Sequence, residues 1–311
     1  MGKLEYYASL EEKSASFSDT PEVAQYYVID HAYQFRDWYS SMKDIAANDQ
    51  FGGFFRGVGE ARYKLYNSAQ RFWITNNLMQ LESLTVPLPY HSMIQNMVDE
   101  AKQQELFKRV FDYYGLTDDQ TDFPILSILQ HYGAPTPLMD WTYNIDVALF
   151  FAVEKARHFE KEQSIEGYVS IYQVGKDENS QFIRANLQIV SENVFPSITH
   201  LSANFPDNIY YISDFEVKDQ RQIKPLTTYY NLNIMPQHGL FIFNPHEVSP
   251  LEKVAEEKYP AAKIICYNIN KDLAELIRLT INKEKINDAF IYPELKKYAG
   301  SILSNYLKSL I

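Results

Sequence analysis

Residues 130–142 read Gln130-His131-Tyr132-Gly133-Ala134-Pro135-Thr136-Pro137-Leu138-Met139-Asp140-Trp141-Thr142. Neither a helix nor a strand needs that mixture of residue types. A polar pocket at the mouth of a buried element does. His131 is a candidate acid, base or ligand, because imidazole changes charge close to neutral pH. Asp140 offers a carboxylate that either caps backbone N–H groups or holds a ligand hydroxyl. Trp141 and Tyr132 offer aromatic walls, and Thr142 a hydroxyl just ahead of the apolar run Ile145–Val153. Each residue alone is as readily structural. Crowded together beside Pro135 and Pro137, they read as a site.

Two other segments carry similar chemistry. Arg56 stands in Phe55-Arg56-Gly57-Val58-Gly59. A guanidinium at a strand end, with glycines admitting a ligand, suits a phosphate or carboxylate clamp. The plainer alternative is an arginine whose stem covers core surface. Gly57 and Gly59 are not a dinucleotide fingerprint, since Arg62 holds the third glycine position. Gln237 and His238 precede Gly239 and the apolar run Leu240–Phe243, a polar pair at the lip of a strand. An ordinary turn explains that pair equally well.

Metal chemistry finds little support. The seven histidines show no His-x-x-x-His spacing, and Cys266 is the lone cysteine. Cys266 reads as a small buried hydrophobe within Ala262–Tyr267. The net charge is −11 over 311 residues. That balance argues against sequence-independent binding of duplex nucleic acid, which needs a basic face. No stretch approaches a membrane span, and no apolar leader opens the chain, so a cytoplasmic protein is expected.

The elements that must position these residues follow from periodicity. Residues 21–49 read as one long amphipathic helix, with Tyr26, Tyr33, Trp38 and Tyr39 among its apolar positions. A short strand follows around Phe54 and Phe55. Residues 61–116 read as interrupted helix, with Leu106, Val110 and Tyr113 on one face of its strongest piece, Met97–Tyr114. Phe123–Tyr132 is a shorter apolar helix. Asn144 is the expected N-cap of a buried helix running to about Phe159. Strands are expected at 167–174, 209–212, 239–243 and 263–267, then helices at 272–279 and 292–310. Helices followed by strands indicate an α+β fold. The expected divisions are an N-terminal helical segment over 1–50, a core over 51–270, and a C-terminal helical segment over 271–311 packed on the core.

Phe55-Arg56-Gly57, residues 130–142 and Val147-Ala148-Leu149-Phe150-Phe151-Ala152 together resemble the FRG domain family, a bacterial family named for its Phe-Arg-Gly motif. Gln237-His238-Gly239-Leu240-Phe241 resembles a later family segment, so the likeness runs from about 55 to 245. Pro137 departs from the pattern, which commonly has Arg there. A more distant resemblance is to the ADP-ribosyltransferases. It implies a helical N-terminal part packed on a mostly antiparallel, ADP-ribosyltransferase-like sheet core. Arg56, Thr142 and Gln237 would occupy three strand positions around NAD. Arg56 would bind phosphate, His131 would orient loop and ligand, and Gln237 would hold ribose. Tyr132 or Trp141 would stack on nicotinamide. Gln237 is neutral where a Glu is usual, so Asp140 would supply the stabilising charge. The resemblance implies NAD as substrate with no required cofactor, a protein or nucleic-acid acceptor, and a setting in bacterial defence. Two other readings stay open: a non-catalytic binding or effector module, and a hydrolase or nuclease using His131 and Asp140.

Overall fold

The computed structural model describes residues 2–17, 25–48, 53–80, 89–114, 122–157, 164–174, 210–212, 234, 236–258 and 264–293. Among these, seven strands form one sheet: β1 (Tyr26–Ile29), β2 (Phe54–Val58), β3 (Leu138–Thr142), β4 (Tyr168–Val174), β5 (Tyr210–Ile212), β6 (Gly239–Phe243) and β7 (Ile264–Asn270). The order across it is β1-β7-β4-β2-β3-β6-β5. Only β1 and β7 pair in parallel; all other neighbours are antiparallel. The helices are α1 (Leu10–Ala15), α2 (Ala32–Asn48), α3 (Ser68–Thr75), α4 (Tyr90–Gln103), α5 (Glu105–Tyr114), α6 (Asp122–His131), α7 (Ile145–Val153), α8 (Leu251–Lys258), α9 (Ala274–Lys283) and α10 (Asp288–Ile291). The fold is α+β, as expected.

Several boundaries differ from periodicity. The single helix expected over 21–49 is a strand followed by a helix. Tyr26, Tyr27, Val28 and Ile29 pair with Cys266–Ile269, and the helix begins only at Ala32. Aromatic and β-branched residues fit a pleated surface as well as a helix face, and here a free edge of β7 decides. Pro21 lies outside the described residues, as does nearly all of the helix expected at 292–310. The piece expected over 97–114 breaks at Gln104, whose extended backbone ends α4. As a result α5 buries Phe111, while Leu106 and Tyr113 are exposed. Helix α7 stops at Val153, short of the expected Phe159.

Alternation along the strands divides the sheet into two faces. Under one face, Phe54, Met139, Trp141, Tyr172, Leu240, Ile242 and Cys266 pack with Leu251, Val254 and Ala255 of α8. The other face is covered in two parts. Phe55, Ile171 and Ile269 pack under α7, α2 and α9. Leu138, Phe241 and Phe243 pack under α3, α4, α5 and α6. Asp140 and Thr142 follow Leu138 at two-residue spacing, so they fall between these two helical covers.

Candidate functional site

Strand β2 pairs with β4 over five residues, from Phe54↔Val174 to Val58↔Ser170. It meets β3 at the single pair Phe55↔Thr142. The sheet is therefore split, and the opening between β2 and β3 is spanned by side chains instead of ladder bonds. The Arg56 guanidinium crosses it and donates to the main-chain carbonyl of Asp140.

A pocket of about 360 Å³ lies at this opening. Its floor is apolar: Phe55, Val147, Ala148 and Phe151. Its polar wall is Arg56, Gln130, His131, Asp140, Thr142 and Gln237. Ile234 and Tyr292 close the side nearest the C-terminal part. Of the sequence-derived candidates, Arg56, His131, Asp140, Trp141, Thr142 and Gln237 come together here. Tyr132 and His238 do not line it. Tyr132 is 70% exposed and makes edge contacts with His131 and Phe107. His238 is exposed on a left-handed backbone turn, with φ at 48°. Trp141 borders the pocket, but its ring is 2% exposed and packs edge-on against Phe54 under the opposite face. That position does not suit it to stacking on a ligand.

Local sequence explains how the wall is held. The side-chain oxygen of Asn144 accepts from the N–H of Asp146 at 2.9 Å and starts α7. The Thr142 hydroxyl accepts from the Asn144 N–H at 2.9 Å and donates to the Gln237 carbonyl at 2.6 Å. The N–H of Tyr143 donates to the His238 carbonyl at 3.1 Å. The end of β3 is thus stitched to the start of β6, and the hydroxyl proton of Thr142 is committed to that stitch. Gln237 Nε2 donates to the Ile291 carbonyl at 3.0 Å, which leaves its Oε1 as an acceptor.

Gly57 of the Arg56 segment has a packing role beside its place in the pocket lining. The space at the missing Cβ of Gly57 is filled by the backbone of α7 at Ala148. Gly57 thus lets the helix come close to the strand at the edge of the pocket that it also lines.

Asp140 is the acid of the pocket. Its side chain is accessible, but the surface it offers faces a concavity, so most of its surroundings are protein. That burial pushes its carboxyl above the usual range, against the opposing pull of the Arg56 charge, a hydrogen bond from Gln130 and the Arg71 charge. Burial likewise lowers the Arg56 guanidinium, which Asp140 opposes. Arg56 Nε is buried and has no hydrogen-bond partner among the described residues. Gln130 Nε2 donates to Asp140 Oδ1 at 2.7 Å, and Gln130 Oε1 accepts from the Thr136 hydroxyl. The sequence shows Gln130 in the segment without a role and Phe151 only as part of the apolar helix run, and it gives no pocket role to Arg71 or Tyr292. Gln130 was the legible one, one residue from His131 at the end of the same helix.

Residues 52–161 match the FRG domain family. The chain carries an FRG domain. The matched span of the FRG domain holds Phe55-Arg56-Gly57, residues 130–142 and the α7 run, and it ends before Gln237. The C-terminal wall of the pocket thus comes from outside the matched FRG span. Comparison with curated proteins and with solved structures returned no match. Among the described residues, no helix is long and apolar enough to cross a membrane. No group of three or more His, Cys, Asp or Glu among them is placed to hold a metal ion.

Proposed function

We propose that the FRG domain binds a nucleotide-like ligand in this pocket and acts on it as an ADP-ribosyltransferase-like or NAD-cleaving enzyme. One observation carries the reading. Arg56 from β2, Asp140 from β3 and Gln237 from the lip of β6 surround one pocket over an apolar floor. An ionised Asp140 would stabilise the positive charge that develops on the ribosyl carbon as nicotinamide leaves. Electrostatic groups of this kind contribute about 3–4 kcal/mol to a transition state. Arg56 spends one N–H on the Asp140 carbonyl, and its guanidinium lines the pocket, where its charge would attract an anionic group. Gln237 Oε1 would accept from a ribose hydroxyl. The volume lies at the low end of ligand sites, about 300–1,000 Å³. It suits the nucleoside half of NAD, with the remainder lying over the rim. A protein acceptor and a role in bacterial defence through NAD depletion belong to the same proposal.

The test is thermal stabilisation by NAD, followed by nicotinamide release. Wild type is expected to be stabilised by NAD, and Arg56→Ala to lose the effect. No shift at millimolar NAD overturns the reading. A non-catalytic module is favoured by one observation: Gln237 is neutral and its amide nitrogen is already bonded to Ile291. That reading expects stabilisation by the ligand with no nicotinamide released.

A further inference from the structure

The pocket contains a second carboxamide, Gln130, whose two ends are both in use. Its nitrogen faces Asp140 Oδ1 at 2.7 Å, and its oxygen faces the hydroxyl of Thr136. A carboxylate accepts only, so it requires the nitrogen end of the amide; the Thr136 hydroxyl is then needed as a donor to the oxygen end. Thr136 is itself immovable. It is fully buried, its N–H donates to Ser68 Oγ at 2.9 Å, and Ser68 Oγ donates back to its carbonyl at 2.9 Å. Ser68 is the first residue of α3, where the side chain of Asn67 caps the helix. The capped end of α3 therefore fixes Thr136, Thr136 fixes which way the Gln130 amide points, and the amide fixes one oxygen of Asp140. Arg56 holds the main chain of the same residue.

We infer that Gln130 is the positioning residue of the site: through the hydrogen bond it donates to one carboxylate oxygen, it orients the Asp140 side chain in the pocket. This rests on Asp140 being the working group of the proposed reaction, but it concerns the state of the carboxylate and is measurable without turnover. The charged and titratable groups around Asp140 are Arg56 from β2, Arg71 from α3, His131 at the end of α6 and Tyr292 beyond α10. Burial works against the ionised form. Gln130 opposes burial by a hydrogen bond made to the charged state, as do the charges of Arg56 and Arg71.

The test is the carboxyl titration of Asp140, followed by carbon NMR of protein labelled at aspartate carboxyls and assigned with Asp140→Asn. Gln130→Met keeps the length and removes the donor. Its Asp140 titration is expected to move up by about one pH unit, the size expected for one lost hydrogen bond to a charged group. Thr136→Val keeps the shape and frees the amide to turn, and is expected to move the titration the same way by less. An unchanged Asp140 titration in folded Gln130→Met overturns the proposal. If Gln130→Met fails to fold, Thr136→Val decides by the same measurement. Failure to bind or cleave NAD would remove the proposed reaction and leave this result standing.

Discussion

A Cβ placed on Gly57 would lie 1.8 Å from the carbonyl oxygen of Ala148. The strand carrying Arg56 and the helix that follows Thr142 are therefore in backbone contact, and the floor of the pocket is set by that contact. Gly57→Ala forces the two elements apart. It is expected to cost about 3 kcal/mol in urea unfolding, at or above the usual range for overpacking, because backbone and not a side-chain tip is in the way. Gly59→Ala is the control. Its Cβ would meet the Ala152 carbonyl at 3.6 Å, an ordinary contact, so it should fall within about 1 kcal/mol of wild type.

Asp140 should trade stability for its place in the pocket. Its native carboxyl lies above the ordinary value because of burial. The folded protein then holds that proton longer than the unfolded chain does. Stability falls as pH rises from the ordinary carboxylate value through the raised one, and the loss is complete above it. Asp140→Asn cannot ionise and escapes that loss. It should have the higher Tm at neutral pH, and the difference should vanish below the ordinary carboxylate range. Any NAD cleavage should be lost in the variant. In wild type its acid limb should sit above the usual carboxylate range. A Tm for Asp140→Asn below wild type at neutral pH would contradict the stability half.

Lys43 and Asp146 join α2 to the first turn of α7. Lys43 Nζ lies 2.8 Å from Asp146 Oδ2, and the Tyr39 hydroxyl donates to Oδ1 at 2.7 Å. Asp146 is buried, whereas Lys43 is partly exposed. Lys43→Met should cost about 1–3 kcal/mol, because the carboxylate stays buried with one partner fewer. Asp146→Asn should cost less, since the freed lysine reaches water. A double-mutant cycle by chemical denaturation reads the coupling. A value near zero would show that burial of Asp146 is met by Tyr39 and the helix start alone.

Lys13 is fully buried and ties α1 to the sheet. Its ammonium donates to the Ala61 carbonyl at 2.8 Å, Ser170 Oγ at 2.7 Å and Asn268 Oδ1 at 2.9 Å, and lies 5.0 Å over the Tyr172 ring. Burial lowers its pKa from 10.5, although Cys266 and Glu252 oppose this. The native state therefore sheds this proton before the unfolded chain does. Stability should rise with pH between the lowered value and 10.5, and should be flat on either side as far as Lys13 is concerned. Lys13→Met should lose that rise. It should also cost about 2–3 kcal/mol, through buried acceptors left without a donor. Urea midpoints measured from neutral to alkaline pH check both.

Features that depend on near neighbours along the chain are legible in the amino-acid order alone. Two-residue alternation marked the strand at Tyr168–Val174, a short aromatic and β-branched run marked the one at Gly239–Phe243, and Asn144 marked the start of α7 through a bond to a residue two positions on. The crowding of costly residues at 130–142 located one wall of the pocket. These signals work because side-chain direction and capping depend on near neighbours along the chain. The tertiary structure decided the rest. Tyr26–Ile29 became a strand because β7 offers it an edge, not because its pattern differs from a helix face. Arg56 holds the Asp140 carbonyl because β2 and β3 part after one pair, a relation across 84 positions of sequence. Lys13 is satisfied by partners as far as 255 positions away. Tyr132 turns outward while His131 faces the pocket, because α6 is ending and Gly133 at φ 89° redirects the chain. Composition marks which residues are costly to bury. Only the packed sheet and its helices fix which partner meets each one.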